Sequence, residues 1–178
     1  MKKTNTLHIV LELITILSNI VIGVTILTFL TQGVQADKSY IGSIVLAIGA
    51  TEMVEFLSLK DLAKRRHVLN AIIAILSMAF GVLLLSLPLE LPIVCIVLGI
   101  VNICFLVVRV VDAAINLLRQ PFLQSFIIII CILETMFSIF LIVKTVDALN
   151  NFLTYLGIAL LVEAFLLVVE FVIHRYQK

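Results

Sequence analysis

The sequence predicts an all-α membrane protein with six transmembrane helices in three tandem helix hairpins and both termini cytoplasmic. Three observations carry that prediction. First, the chain is 63% hydrophobic and 13% charged, against about 45–50% and about 25% in soluble domains. Second, the apolar residues form six continuous blocks, each near the roughly 20 residues that a helix needs to cross a bilayer. Third, of the 12 lysines and arginines, only Lys38 and Lys144 fall on one side of those blocks. The other side holds Lys2, Lys3, Lys60, Lys64, Arg65, Arg66, Arg109, Arg119, Arg175 and Lys178. A basic excess of that kind marks the cytoplasmic face.

The first block, Ile9–Leu30, follows a basic MKKTNT and has 22 residues. The apolar core of a secretory signal has about 7–15. Glu12 and Asn19 also interrupt the block, so it is read as a retained helix, although VQA ending at Ala36 resembles a cleavage site. The longest polar gap, Thr31–Tyr40, leads to the second block, Ile41–Leu59, which carries Glu52 and Glu55 and ends in the basic KDLAKRRH. The third block, Val68–Leu87, stops at Pro88, and the fourth, Ile93–Val111, starts after Pro92. Pro121 precedes the fifth, Phe122–Val143, and the sixth is Phe152–Ile173. Proline belongs between such blocks, because inside a helix it removes a hydrogen bond and clashes with the preceding turn. Continuous apolar runs also exclude a barrel, whose strands alternate every second residue. Nothing is left over for a soluble domain, so residues 1–178 are read as one membrane domain. Its hairpin units cover about 8–60, 67–118 and 122–174. Cys95, Cys104 and Cys131 lie within spans, where thiols serve as small packing residues.

Internal similarity supports the three units. ITILSNIVIG, IAILSMAFG and CILETMFS align without gaps in the odd spans, placing Ser18, Ser77 and Glu134 at equivalent positions. In the even spans, Tyr40–Phe56 aligns with Tyr155–Phe171, sharing Tyr, Gly, Leu, Val, Glu and Phe. Six spans in fewer than 200 residues, tandem hairpins and the proline-marked turn in FGVLLLSLPLELPIVCIVLGIVNI resemble the HdeD-like family of bacterial inner-membrane proteins. The specific part of the likeness is Phe80–Ile103, with Gly81, Pro88 and Gly99. The resemblance implies a non-enzymatic role in acid or stress resistance, or in membrane integrity. It carries over no catalytic residue.

The repeat sorts the polar residues of the spans into two layers. Near the midplane lie Asn102, Glu134 and Glu163; Glu52, whose repeat equivalents are Leu106 and Leu167, stands beside them as a candidate proton or cation site. Nearer the cytoplasmic end, Glu55, Arg109 and Glu170 are equivalent, and Asp112 lies one turn beyond Arg109. One arginine among acids reads as an inner-rim ion cluster. Such charges cost about 2.5–3.5 kcal/mol each on insertion scales, so they face the bundle interior or a partner. Their alternative use is structural, fixing helix register and solvating the inner rim.

No phosphate-binding glycine loop, zinc-type Cys/His spacing or positioned nucleophile is present, so the sequence predicts neither an enzyme nor a cofactor or metal site. Topology accounts for the basic residues without nucleic acid, and the expected partner is the lipid bilayer, with a homo-oligomer or a membrane partner left open. Beside the HdeD-like role stand two alternatives. One is a small proton-coupled transporter or channel-like protein using the midplane carboxylates. The other is the substrate-binding subunit of an energy-coupling-factor importer.

Overall fold

A computed structural model describes residues 6–33, 36–58, 64–116 and 121–176. Within its helices, the side chains of 6–8, 64–70, 115–116, 121–124 and 173–176, and those of Glu55, Ser58, Asp112 and Glu170, lie outside the described residues. The described residues form six helices: α1 (Thr6–Thr31), α2 (Lys38–Ser58), α3 (Lys64–Ser86), α4 (Leu91–Asn116), α5 (Pro121–Lys144) and α6 (Val146–Tyr176). Among the described residues, α1, α4, α5 and α6 are long and apolar enough to cross a membrane, and α3 holds a shorter apolar stretch, Ala71–Ser86. The chain is a helical, multi-pass membrane protein. Its outward faces agree: Leu17, Met136, Phe165 and Val143 are 62–68% exposed, which suits contact with lipid tails.

Local chemistry sets the helix ends. Gly33, at φ +69°, closes α1 in the left-handed conformation that glycine adopts without steric cost. Asp37 caps α2, accepting a hydrogen bond from the Tyr40 amide at 2.7 Å. Lys38 donates to the Leu87 carbonyl at the end of α3 (2.6 Å), supplying a cation where a helix end carries partial negative charge. Pro92 and Pro121 sit in the first turns of α4 and α5, where the missing amide proton removes no helical bond. The sixth helix starts at Val146, six residues before the apolar block Phe152–Ile173. The polar DALNN segment forms its opening turns, with Asp147 in the first turn favoured by the helix dipole. Thr145 alone separates α5 from α6, at φ +46°.

The closest helix pairs are α2 with α3, α4 with α5, and α1 with α6. Each joins neighbouring hairpin units of the sequence reading; within a unit, α1–α2 and α5–α6 pack less and α3–α4 barely touch. Glycine placement explains the preference. A Cβ on Gly81 would lie 2.7 Å from the Leu46 amide nitrogen, and one on Gly49 would lie 2.6 Å from that of Met78, so α2 and α3 meet backbone to backbone. Gly99 similarly faces α5 at Ser138 and Ile142, and Gly23 faces Gly157 of α6. Small residues let membrane helices approach this closely. Because the close-packing faces of α3 and α4 point to α2 and α5, the short turn between them is left with little interface.

The bundle is differentiated along its length. Ile26, Ile41, Ile44, Leu84, Val94, Leu98, Leu141, Leu149, Phe152 and Leu153 form a buried apolar core near the α1–α2, α3–α4 and α5–α6 turns. Phe29 stacks on Tyr40 there, with ring centroids 3.7 Å apart. The polar groups lie beyond this core, toward the end that carries the chain termini.

Candidate functional site

A cavity of about 80 Å³ lies between five helices, and among the described residues α1 contributes nothing to its walls. Helical periodicity assembles it. Leu98, Asn102, Phe105, Leu106 and Arg109 form one stripe of α4 at three- and four-residue spacing. Val45, Ile48 and Glu52 do the same on α2, and Phe152, Leu156, Leu160 and Glu163 on α6. Ser77 and Phe80 enter from α3 and Glu134 from α5. Thus Glu52, Asn102, Glu134 and Glu163, four polar residues from four helices, line one space.

Arg109 lines the same space. Its Nη2 lies 3.6 Å from Glu52 Oε1 and 3.4 Å from Glu163 Oε1, so one guanidinium spans two carboxylates on different helices. Both distances exceed the roughly 2.7–2.9 Å of a tight charge-assisted hydrogen bond, so the contact is electrostatic and loose. The two sequence layers therefore meet at Arg109. Two helical turns below Asn102 on the same face, its long side chain reaches the midplane acids. The expected partners Glu55 and Glu170, and Asp112, have side chains outside the described residues.

Hydrogen bonds fix the surrounding groups. Ser77 Oγ donates to Glu52 Oε2 at 3.0 Å, across the tight α2–α3 interface. Asn102 Nδ2 donates to Ser138 Oγ at 2.8 Å across α4–α5, and the Ser138 hydroxyl donates to the Glu134 carbonyl one turn earlier. Ser138 has a sequence signal that the repeat alignment passes over: it stands four residues from Glu134, on the same helical face. Ser18, the repeat equivalent of Ser77 and Glu134, is on α1 and does not line the cavity.

The acids differ in environment. Glu134 is 7% exposed and its carboxyl makes no hydrogen bond or ion pair among the described residues, although the charges of Arg109 and Glu163 act on it. The Glu52 side chain is 15% exposed, while those of Arg109 and Glu163 are 34% and 32% exposed and stand at the mouth. Among the described residues that line the cavity, with all groups ionised, three carboxylates stand with one guanidinium, an excess of two negative charges against largely apolar walls. That excess is costly in a medium of low dielectric, so the cavity favours protons or a bound cation. Among the described residues no group of three His, Cys, Asp or Glu side chains is disposed to hold a metal ion. Cys95 and Cys131 are buried free thiols, and Cys104 faces outward.

Compared with protein-family models, curated proteins and solved structures, the chain has no significant match.

Proposed function

We propose that the chain is a small, non-enzymatic, proton-linked membrane carrier whose working site is the cavity lined by the five helices α2 to α6. In this reading all six helices span the bilayer, and the basic end that carries the termini is cytoplasmic. The observation that carries the proposal is Glu134, a buried carboxyl that lines a cavity without a hydrogen-bonding or ion-pair partner among the described residues. A purely structural acid in a membrane interior is expected to be paired, because an unpaired charge there is expensive. An acid that must gain and lose a proton needs space beside it instead.

The fold supplies the other requirement of a carrier, a site closed on one side. The apolar core blocks the turn end, while the partly exposed Arg109 and Glu163 mark the opposite approach. The arrangement corresponds to an inward-facing state, and transport requires the core around Leu84, Val94 and Leu141 to part in turn. The resemblance to HdeD-like proteins would place such proton movement in acid or stress resistance at a bacterial inner membrane.

The test is proton flux in proteoliposomes, followed with an entrapped pH dye under an imposed pH gradient. Wild-type protein is expected to carry protons at a rate that the E134Q/E163Q double variant loses. Equal flux in the double variant removes the cavity from the mechanism.

A further inference from the structure

The carrier reading leaves the co-substrate open, and the cavity's chemistry narrows it. We infer that the cavity binds a small hydrogen-bonding organic monocation, of the guanidine or amine class, in exchange for a proton on Glu134; this rests on the carrier reading. Four features of the site point the same way.

The first is charge. Among the described residues of the lining, three carboxylates stand with one guanidinium, which repels an anion, and Arg109 lies within ion-pair distance of Glu52 and Glu163 but not of Glu134. The second is size. A single buried water needs roughly 10–15 Å³, so about 80 Å³ accommodates several waters or a cation of a few heavy atoms. The third is the lining. Phe80, Phe105 and Phe152 contribute aromatic walls, which attract cations through their ring faces. A bare inorganic ion would have to replace its water shell with oxygen ligands converging on one point, and among the described residues no three acidic, histidine or cysteine side chains converge in that way. A weakly hydrated organic cation loses less on entering.

The fourth feature is that the site already accommodates a guanidinium. Arg109 sits loosely between Glu52 and Glu163 at 3.6 and 3.4 Å and acts as an internal occupant, leaving the third carboxyl for a ligand of similar chemistry. Among the described residues, the titratable and charged groups coupled to Glu134 are Arg109 of α4, Glu163 and Tyr155 of α6, and Cys131 one turn away on α5, with Glu52 of α2 paired to Arg109. Charge balance sets the stoichiometry. Two protons on the three carboxyls neutralise the empty site, whereas one proton and one monocation neutralise the filled one. Binding therefore releases one proton and leaves the site neutral.

The experiment uses the purified full chain in detergent, weakly buffered with a pH indicator, titrated with methylguanidinium chloride. Sodium chloride and tetramethylammonium chloride are run at matched ionic strength. Methylguanidinium is expected to release close to one proton per chain, saturably, with an apparent Kd that weakens about tenfold for each unit of acidification. The other two salts are expected to release none. E134Q is expected to abolish the release, and E134D, which keeps the carboxyl, to retain it at lower affinity; thermal unfolding verifies that both variants are folded. No saturable release from wild type, equal release by sodium or tetramethylammonium, or undiminished release from E134Q each overturns the inference. If Glu134- and Glu163-dependent proton flux persists in proteoliposomes while methylguanidinium neither binds nor releases protons, the cation assignment fails alone. Loss of both results removes the carrier reading with it.

Discussion

Arg109 holds two helices at once, and its position reconciles two features that the sequence kept apart. Glu52 and Glu163 come from α2 and α6, which are not adjacent along the chain, and both approach the same Nη2 atom. Removing the guanidinium leaves two carboxylates facing each other across an apolar space. R109Q is therefore expected to cost about 1–3 kcal/mol, below the loss for a fully buried pair because Arg109 and Glu163 are a third exposed. Adding E163Q to R109Q removes one of the opposed charges and should recover part of that loss. Unfolding titrations in mixed micelles measure the coupling, and strictly additive losses would argue against direct contact. The residue-scale lesson concerns reach. Helical spacing places Arg109 on the Asn102 face of α4, but equivalence by repeat assigns it to Glu55 and Glu170. Seven residues along one face span about 10 Å, which is bridged because Arg109 and the glutamates of α2 and α6 reach toward one another, while the pairing with Glu55 and Glu170 lies outside the described residues.

At the scale of elements, packing follows glycine rather than connectivity. Every connection between successive helices is six residues or shorter, yet the interfaces differ: α2–α3 and α4–α5 pack tightly, α3–α4 barely touch, and α1 packs most closely on α6, the helix farthest from it in sequence. G81A tests this directly. Its added Cβ would stand 2.7 Å from the Leu46 amide nitrogen, a backbone atom that cannot rotate away. The helices must separate, at a cost of about 1–3 kcal/mol; an unchanged midpoint of thermal unfolding would show that the interface is slack. The opposite sign is expected at Thr145. A β-branched residue at φ +46° pays the steric cost of the left-handed region, about 1–2 kcal/mol for an L residue. T145G should raise stability by about 1 kcal/mol, offset in part by the greater freedom of glycine in the unfolded chain. The number and order of helices were legible from the apolar blocks because length and hydropathy are local properties. The early start of α6 was not, since the polar DALNN segment reads as a loop until the single-residue turn and the helix dipole are known.

At the scale of the molecule, the apolar core fills the turn end of the bundle and the polar cavity adjoins it, with Leu98 and Phe152 belonging to both. The sequence made the polar cluster visible through the rarity of charge in apolar blocks, and it identified Glu52, Asn102, Glu134 and Glu163 individually. Their convergence depends on the azimuth of five helices, which no single segment encodes. The six-span arrangement is tested by accessibility. A cysteine at Gln32 or Lys144, both exposed at the turn end, is expected to react with a membrane-impermeant maleimide in intact cells. One at Lys60 should react only after permeabilisation. The native thiols give a low background, since two are buried and Cys104 lies within the apolar stretch Leu91–Val111, facing lipid in this topology. Labelling of Lys60→Cys from outside would invert or break the proposed topology.

The intimacy of α2 and α3 bears on how the chain is made. These two are the least apolar of the six helices: α2 carries Lys38, Glu52 and Glu55, and α3 opens on Lys64, Arg65 and Arg66. An insertion machinery that weighs each emerging segment against lipid would hold α2 back, since Glu52 meets Arg109 only once α4 is synthesised. The backbone contact at Gly49 and Gly81, with Ser77 covering Glu52, lets the pair partition together once α3 has emerged. Biogenesis then proceeds by delayed entry of a helical pair: α2 (Lys38–Ser58) placed alone in a host protein that reports membrane insertion should insert poorly, and the segment from Lys38 to Ser86 should insert as a pair.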